Sequence, residues 1–331
     1  MRRREVIASG VVVGASTIIA RPALAQAARR ARLGYLSGGT YAADGNQENS
    51  SDILKTALRE LGWRAGETLE IEERWADGDF SRMSQLAREL VALRPDVIAA
   101  TGSQETRSLQ AVTRDIPIVF LQVQEPVALG LVASIVRPGG NITGLSQGPQ
   151  IVWGKRLDLL SELLGRVPRR LAYLGNPGNL AIEADWADAR DAAAKIGGDL
   201  VRLEVSRASE LDPAFRSLQD DTDAVLVQWD FLFSVMRRQI ADLAMHKRLP
   251  AAYGNRSHVL AGGLMSYGAD LRENYRQGAI YVDRILKGAR AADLPVVQAS
   301  RFELVININT ARTLGLTIPP TLLARADEVI E

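Results

Sequence analysis

From Arg32 onward, the chain alternates between short apolar runs and longer segments with apolar residues at helical spacing. The intervening segments are amphipathic, and the first two end at Gly62 and before Pro95. Strands alternating with helices predict a parallel sheet with helices on both faces. The apolar runs predict four buried strands at 32–37, 68–76, 96–101 and 116–123.

The same order of elements recurs later in the chain. Three segments echo earlier ones at offsets of 138, 127 and 133 residues: 170–176 after 32–38, 223–228 after 96–101, and 249–254 after 116–121. Similar offsets in one order predict two α/β lobes of similar structure; the alternative is chance resemblance between short strands. The segment RPGGNITG at 137–144 is rich in Pro and Gly, which is typical of a connector.

The C-terminal third does not repeat the pattern again. It contains a short apolar segment at 261–268, one long amphipathic segment ended by Gly288, and a strand-like run at 301–309. We expect these pieces to extend the two sheets, so that the chain crosses between lobes several times and forms a hinge. The predicted boundaries are 31–144 plus about 258–297 for lobe 1, and 145–257 plus about 298–331 for lobe 2.

The first 25 residues are predicted to be a cleaved export signal. They have a basic start, an apolar run at 11–20, and the small residues Ala23-Leu24-Ala25. The pair Arg3-Arg4 also resembles a twin-arginine signal, with the general secretory route as the alternative. An N-terminal anchor helix is the other interpretation, although the apolar run is short for a bilayer span.

Charge and composition exclude several classes of function. Without residues 1–25, the formal net charge is −2, so a nucleic-acid partner is not expected. The chain has no cysteine and two histidines, which argues against disulfides, thiol chemistry and a His-based metal site. No phosphate-binding or dinucleotide-binding glycine motif is present, so we expect no cofactor.

Polar residues follow several predicted strands, where open parallel sheets bind their ligands. If the two sheets face each other across a hinge, these residues line one cleft. Their hydroxyls, amides, carboxylates and rings suit a zwitterion with an apolar side chain. The predicted ligand-binding residues are Ser37, Gly38, Tyr41, Thr101, Gly102, Ser103, Gln104, Gln122, Glu125, Asn176, Trp229, Asp230, Tyr253, Asn255 and Tyr267.

Roles follow from residue type. Thr101, Gly102 and Ser103 begin a predicted helix and are candidates for holding a ligand carboxylate, with helix capping as the alternative. Asp230 is the first candidate for a ligand ammonium and Glu125 the second; capping or a hinge ion pair is the alternative for each. Two rings, Trp229 and Tyr253, are candidates for stacking on the ligand, or for packing in the core. Arg256 is a further candidate for a carboxylate, or a solvated loop charge.

Several long blocks resemble a known family. They include RPDVIAATGS at 94–103, EPVALGLVASIVRPGGNITG at 125–144, and RLPAAYGNRSHVLAGGLMSYGADLRENYRQGAIYVDRILKG at 248–288. These blocks resemble the periplasmic substrate-binding proteins of ABC importers, in the family containing tryptophan and tyrosine uptake binding proteins. The chain departs from the family pattern at Glu125, where an Asp is usual, and at 229–231, where a Ser-Asp-Pro type segment is usual.

The resemblance implies a type I periplasmic binding protein-like fold, with two doubly wound parallel-sheet lobes and a hinge crossed three times. It also implies capture of a small solute by hinge closure. The expected solute is an aromatic or branched amino acid or a related aromatic carboxylate. The expected partner is an inner-membrane ABC permease with its ATPase, and the binding protein is expected to be a monomer.

Two other functions stay open at this point. The segment GLSQG at 144–148 matches the G-x-S-x-G motif, with Asp230 and His258 following in the chain order of a serine hydrolase that would use Ser146. A periplasmic sensor that docks on a signalling receptor needs the same closing cleft as an importer component. We expect a binding protein and not an enzyme.

Overall fold

The computed structural model describes residues 30–41, 50–147, 152–299 and 301–331. The predicted export signal lies outside these residues. Thirteen strands are found in them: β1 Ala31–Ser37, β2 Leu69–Trp75, β3 Val97–Ala100, β4 Ile118–Val123, β5 Ile142–Ser146, β6 Arg170–Gly175, β7 Asp199–Glu204, β8 Ala224–Val227, β9 Ala251–Tyr253, β10 Met265–Ala269, β11 Val297–Gln298, β12 Phe302–Asn307 and β13 Glu328–Ile330.

The same residues contain twelve α-helices: α1 Ser50–Glu60, α2 Met83–Ala92, α3 Ser103–Val112, α4 Val152–Leu164, α5 Ile182–Lys195, α6 Leu211–Arg216, α7 Phe231–Val235, α8 Arg237–His246, α9 Arg256–Leu260, α10 Leu271–Leu286, α11 Ile308–Thr313 and α12 Pro320–Leu323. Three short 3₁₀ turns lie at Phe80–Arg82, Ala208–Glu210 and Ala291–Asp293. As predicted, α1 and α10 end just before Gly62 and Gly288, whose φ angles of 96° and 99° favour glycine.

The strands form two sheets with the same internal order. The first sheet runs β11-β5-β4-β3-β1-β2 and the second β13-β12-β10-β9-β8-β6-β7. The shared order β5-β4-β3-β1-β2 and β10-β9-β8-β6-β7 confirms that the chain repeats one lobe design. Pairing is parallel between neighbours, except that β10 and β12 of the second sheet run antiparallel. The architecture is that of a type I periplasmic binding protein.

Each sheet is buried on both faces by helices. In the first lobe, α1 and α10 pack on one face, where Leu33, Leu58 and Val282 are fully buried. In the second lobe, α4 and α5 cover one face, and α8 contributes the fully buried Ile240 to the other. The described residues between Ala31 and Glu331 pack as one compact unit, so both lobes belong to one body.

The described elements change from one sheet to the other three times along the chain: after β5, after β10 and after β11. The prediction assigned residues from about 258 to 297 to lobe 1. In the structure, β10 belongs to the second sheet and α9 packs beside it, whereas β11 belongs to the first sheet, against which α10 packs. The short run between glycines had given no sign of its antiparallel partner β12.

In the described residues, no helix combines the length and apolarity needed to cross a bilayer.

Candidate functional site

The carboxyl ends of the two sheets face each other across a cleft, as the strand order predicts. The side chain of Gln104, on α3 of the first lobe, donates a hydrogen bond to the backbone oxygen of Gly178 in the second. Phe231 of the second lobe lies against two glycines of the first: a β-carbon added to Gly39 or Gly102 would approach its ring to 3.5 or 3.0 Å. The two lobes therefore touch directly.

The cleft contains two compartments, both bordered by Gln124 and Trp229. The first is here called the hinge-side compartment and includes several residues that flank the crossings; its lining is Gln124, Gln147, Val152, Trp153, Arg156, Asp185, Trp229, Gly254, Gly268, Ala269, Leu271 and Phe302. The second is here called the helix-side compartment and lies where α3 meets α7; its lining is Phe80, Gly102, Ser103, Gln104, Glu105, Gln122, Gln124, Asn179, Trp229, Asp230 and Phe231.

The hinge-side compartment contains a buried arginine. Arg156 on α4 is 6% exposed, and its Nε donates to the backbone oxygen of Tyr267 at 2.7 Å. Its guanidinium lies 4.5 Å from the ring centroid of Trp153, one turn earlier on the same helix. Burial lowers the pKa of Arg156 to about 10, so the side chain stays charged at neutral pH.

A buried aspartate lines the same compartment. Asp185 on α5 accepts hydrogen bonds from Trp153 Nε1 at 2.7 Å and from the Tyr173 hydroxyl at 2.8 Å. Burial raises its pKa above the ordinary value. Arg156 forms an ion pair with neither Asp185 nor any other residue that the structure describes. The compartment therefore presents a guanidinium and a carboxyl group that do not contact each other directly.

The helix-side compartment contains Glu105, in the first turn of α3. This side chain is 1% exposed, and its Oε1 accepts from the backbone N–H of Gly38 at 2.7 Å and the hydroxyl of Thr101 at 3.1 Å. Burial, together with a smaller contribution from the nearby Asp230, raises the pKa of Glu105 to about 7. One donor predicted to hold a ligand carboxylate, the Thr101 hydroxyl, thus already binds a carboxylate of the protein.

Asp230 approaches the same compartment from the second lobe. Its Oδ1 caps α7 by accepting from the N–H of Leu232 at 2.8 Å and also accepts from Asn176 Nδ2 at 3.1 Å. Its Oδ2 accepts from Asn179 Nδ2 at 2.6 Å. Burial raises the pKa of Asp230. Asp230 therefore caps α7 and also lines the cleft. The sequence had offered capping as the alternative to binding a ligand.

The predicted residues divide into three groups. Six of them line the helix-side compartment: Gly102, Ser103, Gln104, Gln122, Trp229 and Asp230. Four others stand behind that wall and bond to residues in it or near it: Ser37, Gly38, Thr101 and Asn176. The remaining five are Tyr41, Glu125, Tyr253, Asn255 and Tyr267.

These five do not line either compartment. Tyr41 is 46% exposed and contacts Trp75, whereas Glu125 is exposed on a turn with a φ of 47°. Tyr253 is fully buried and stacks on His258 at 4.8 Å, so its packing alternative applies.

Asn255 caps α9 by accepting from the N–H of Ser257 at 2.8 Å. Tyr267 contributes its backbone oxygen to Arg156, while its ring stacks on Phe302 at 5.8 Å. The further candidate Arg256 pairs with Glu303 and Glu328 inside the second lobe.

The prediction missed Glu105, Arg156 and Asp185 because it considered only residues that directly follow strands. Glu105 directly follows the predicted site residue Gln104 but belongs to the helix after that strand. Arg156 follows Trp153 by three residues, so both lie on one face of a helix that begins immediately after a crossing. That spacing was the available signal.

The serine-hydrolase arrangement is not assembled. Ser146 is the last residue of β5 in the first sheet, whereas His258 lies in the second lobe with its ring on Tyr253. The described residues also contain no group of three His, Asp or Glu side chains that could hold a metal ion.

Comparison with known proteins gives a consistent picture. Residues 43–330 match the family model described as ABC transporter substrate binding protein. A tyrosine-binding protein of Clostridioides difficile (strain R20291) is 26% identical over 261 residues, which cover 78% of this chain and 74% of the relative.

Two solved structures share the fold across most of the chain. A conserved domain protein from Vibrio cholerae o1 biovar eltor has a TM-score of 0.83 and 28% identity, covering 91% of this chain and 100% of that chain. An ABC domain from Streptococcus pneumonia in complex with L-Trp has a TM-score of 0.81 and 24% identity, with the same coverage.

Proposed function

The chain belongs to the family of ABC transporter substrate-binding proteins, and from this premise we propose that it captures an amino acid with an aromatic side chain in the periplasm and delivers it to an inner-membrane ABC permease for import. The binding protein makes and breaks no covalent bond in this role. ATP is used by the transporter's ATPase.

The observation that carries the amino-acid assignment is the pair Arg156 and Asp185 in the hinge-side compartment. Burying a charged group without an ion-pair partner is costly, and Arg156 and Asp185 are both buried without contacting each other. An α-amino acid brings a carboxylate for the guanidinium and an ammonium for the aspartate. The nitrogens Nη1 and Nη2 of Arg156 supply the bidentate geometry that a carboxylate prefers.

The aromatic assignment rests on the rings around this pair. Trp153, Trp229 and Phe302 line the hinge-side compartment, and such faces bind flat apolar groups well. Two of the relatives add support: the one from Clostridioides difficile is a tyrosine-binding protein, and the one from Streptococcus pneumonia was solved in complex with L-Trp.

Closure of the two lobes completes the site. Gln124 and Gln147 come from the first lobe, whereas Arg156, Asp185 and Trp229 come from the second. A ligand that contacts both groups binds the closed form more tightly than the open one and shifts the population toward it.

The test is a thermal-shift and titration-calorimetry screen of purified protein with the twenty amino acids. The matched analogues are tyramine, which lacks the carboxylate, and 4-hydroxyphenylpyruvate, which lacks the ammonium. At 100 times its dissociation constant, a true ligand stabilises the fold by about 2.7 kcal/mol. We expect an aromatic amino acid to do so and both analogues to bind far more weakly. If no amino acid raises the melting temperature or gives a binding isotherm, the proposal is rejected.

Export is proposed from residues 1–25. Protein recovered from the periplasm should begin at Gln26, as read by mass spectrometry. Replacing Arg3 and Arg4 by Lys should block export by the twin-arginine route, whereas continued export would indicate the general secretory route.

A further inference from the structure

Three side chains that line the hinge-side compartment carry N–H groups for which the described part of the chain provides no acceptor: Arg156, Gln147 and Trp229. We propose that all three donate to the carboxylate of the ligand, so that this one group is held by both lobes at once. Gln147 and Trp229 are then specificity-determining residues. The inference rests on the proposed function and deepens it, because it assigns the recognition of the carboxylate to named donors and makes that group the bridge across the cleft.

The indole of Trp229 supplies the first of the two neutral donors. Its Nε1 is buried, although the residue as a whole is half-buried, and this nitrogen bonds to no residue that the structure describes. An indole N–H can only donate, and a buried donor without an acceptor costs roughly its lost hydration. The ring packs edge-on against Phe231, with centroids 5.0 Å apart, which fixes the position of the N–H on the border of the compartment.

The side-chain amide of Gln147 supplies the second neutral donor. Its Oε1 accepts a hydrogen bond from Gln124 Nε2 at 3.2 Å, whereas its own Nε2 is buried and has no acceptor among the residues described. The bond from Gln124 sets the orientation of the amide, because the oxygen is turned to Gln124 and the nitrogen is left for another partner. Native structures rarely keep such a buried group unpaired without a reason.

The surroundings of Gly254 show that Trp229 and the guanidinium lie close together. A β-carbon built on Gly254 would lie 2.7 Å from Arg156 Nη2 and 3.1 Å from Trp229 Cβ. The one hydrogen bond that Arg156 makes to a described residue uses Nε, so Nη1 and Nη2 are left to donate. A guanidinium with two neutral N–H groups in one compartment suits a negatively charged acceptor, and a carboxylate offers about four lone-pair sites.

The carboxyl group of the same compartment does not take these donors. Asp185 accepts from Trp153 on one oxygen and from Tyr173 on the other, and neither bond involves the three side chains named above. The acceptor that the three donors lack therefore has to come from outside the described residues. The carboxylate of an amino-acid ligand is such an acceptor, while Asp185 keeps a second lone pair on each oxygen for the ammonium.

The carboxylate bridges the two lobes in this arrangement, whereas the ammonium does not. Gln147 follows β5 of the first sheet, and Arg156 and Trp229 belong to the second lobe. Asp185, the partner of the ammonium, lies on α5 of the second lobe. A ligand without its carboxylate therefore loses a contact that forms only when both lobes close on it. Contacts of that kind shift the population toward the closed form.

The experiment measures dissociation constants of the full mature chain by titration calorimetry. The ligands are L-tyrosine, L-tryptophan and L-phenylalanine, each paired with its carboxamide, which keeps the ammonium and the ring but carries no negative charge. The readout is the dissociation constant of the carboxamide divided by that of the acid, for whichever pair binds most tightly. Because Arg156 is left without its charged partner, we expect a ratio of about 100 or more in the wild type.

Two variants each remove one neutral donor and keep much of the side chain's bulk: Gln147→Met and Trp229→Phe. The strength of a hydrogen bond to a charged group predicts that the acid binds about 10- to 150-fold more weakly to each variant. The carboxamide has a neutral oxygen and should lose less, so the ratio should fall. The controls Gln277→Met and Trp186→Phe change half-buried residues outside both compartments and should leave the ratio unchanged.

Each outcome decides the inference. A lower ratio in both Gln147→Met and Trp229→Phe supports it. Equal losses of affinity for acid and carboxamide in both variants mean that the two residues act through packing alone, which overturns it while amino-acid capture stands. A lower ratio in Trp229→Phe alone leaves the carboxylate on the second lobe and overturns the bridge, and a lower ratio in Gln147→Met alone removes Trp229 from the donors. If none of the three amino acids binds, the proposed function is rejected together with the inference.

Discussion

The two compartments of the cleft share a border and differ in charge. The hinge-side compartment is lined by Arg156 and Asp185, which do not contact each other, whereas the helix-side compartment is lined by Glu105 and Asp230 without a lining cation among the described residues. Under the proposed function, the two charges of an amino-acid ligand lie in the hinge-side compartment.

The acids of the helix-side compartment also show how two similar lobes use equivalent places differently. Glu105 lies in the first turn of the helix that follows β3, and Asp230 is the N-cap of the helix that follows β8. Both carboxylates are near a helix N-terminus, where the helix dipole favours negative charge. The repeat therefore delivers two acids to one compartment from opposite sides, through two different helix positions.

The largest expected effect comes from Arg156→Met, which removes the only cation among the described lining residues of either compartment. A ligand carboxylate left without its partner costs about 3–5 kcal/mol, so titration calorimetry should show a loss of affinity of about 100-fold or more. Arg256→Met is the matched control, because the Arg256 side chain is only 14% exposed but pairs with Glu303 and Glu328. It should lower thermal stability and leave the affinity unchanged. Wild-type affinity in Arg156→Met would place the ligand head elsewhere.

Trp229→Ala should have the next largest effect, since this ring borders both compartments. Removing an aromatic face costs roughly 1.5–3 kcal/mol of burial, so an aromatic ligand should bind about 10- to 150-fold more weakly. An aliphatic amino acid should lose less. The half-buried Trp186, which packs on Tyr173 outside the cleft lining, provides the control Trp186→Ala. Equal losses for aromatic and aliphatic ligands would contradict stacking on Trp229.

A subtler change tests whether Arg156 must reach its observed position. A β-carbon on Gly254 would lie 2.7 Å from Arg156 Nη2 and 3.1 Å from Trp229 Cβ, so Gly254→Ala should displace the guanidinium. We expect affinity to fall about 10-fold, which corresponds to 1.4 kcal/mol, with the fold retained. Gly154→Ala is the control on the same helix as Arg156, because a β-carbon there meets nothing within 4 Å. If calorimetry shows equal affinities for the two variants, the position of the Arg156 guanidinium does not determine ligand affinity.

Much of the fold is readable from the sequence because a strand buried on both faces and an amphipathic helix leave different apolar periods. The repeated offsets also carried the two-lobe design. The position of β10 was not readable: its short run between glycines holds no information about the antiparallel partner β12, which lies more than thirty residues later. Long-range pairing of short strands depends on tertiary contacts that local patterns do not record.

The site was readable only where a residue directly follows a strand, as Trp229 and Asp230 do. Tyr253 has that place too, but its ring turns into the core, because position along the chain does not fix the direction of the last side chain. Glu125 adopts a positive φ that turns it to solvent. Arg156 and Asp185 lie on helices, so a search limited to the carboxyl ends of strands does not find them.

The smallest expected effect concerns the pKa of Glu105 and tests whether burial in the helix-side compartment raises it. Its pKa is raised from 4.5 to about 7, so between these values the folded state binds more protons than the unfolded state, and this group makes stability fall as pH rises. His258, in the core of the second lobe, has its pKa lowered by burial from 6.5 to about 4, so it makes stability rise over pH 4 to 6.5. The two slopes oppose each other from about pH 4.5 to 6.5.

Glu105→Gln removes only the falling slope, so urea unfolding without ligand should show stability rising more steeply with pH than in the wild type. Parallel curves for the two proteins between pH 4.5 and 7 would mean that Glu105 keeps an ordinary pKa and is hydrated in the absence of ligand.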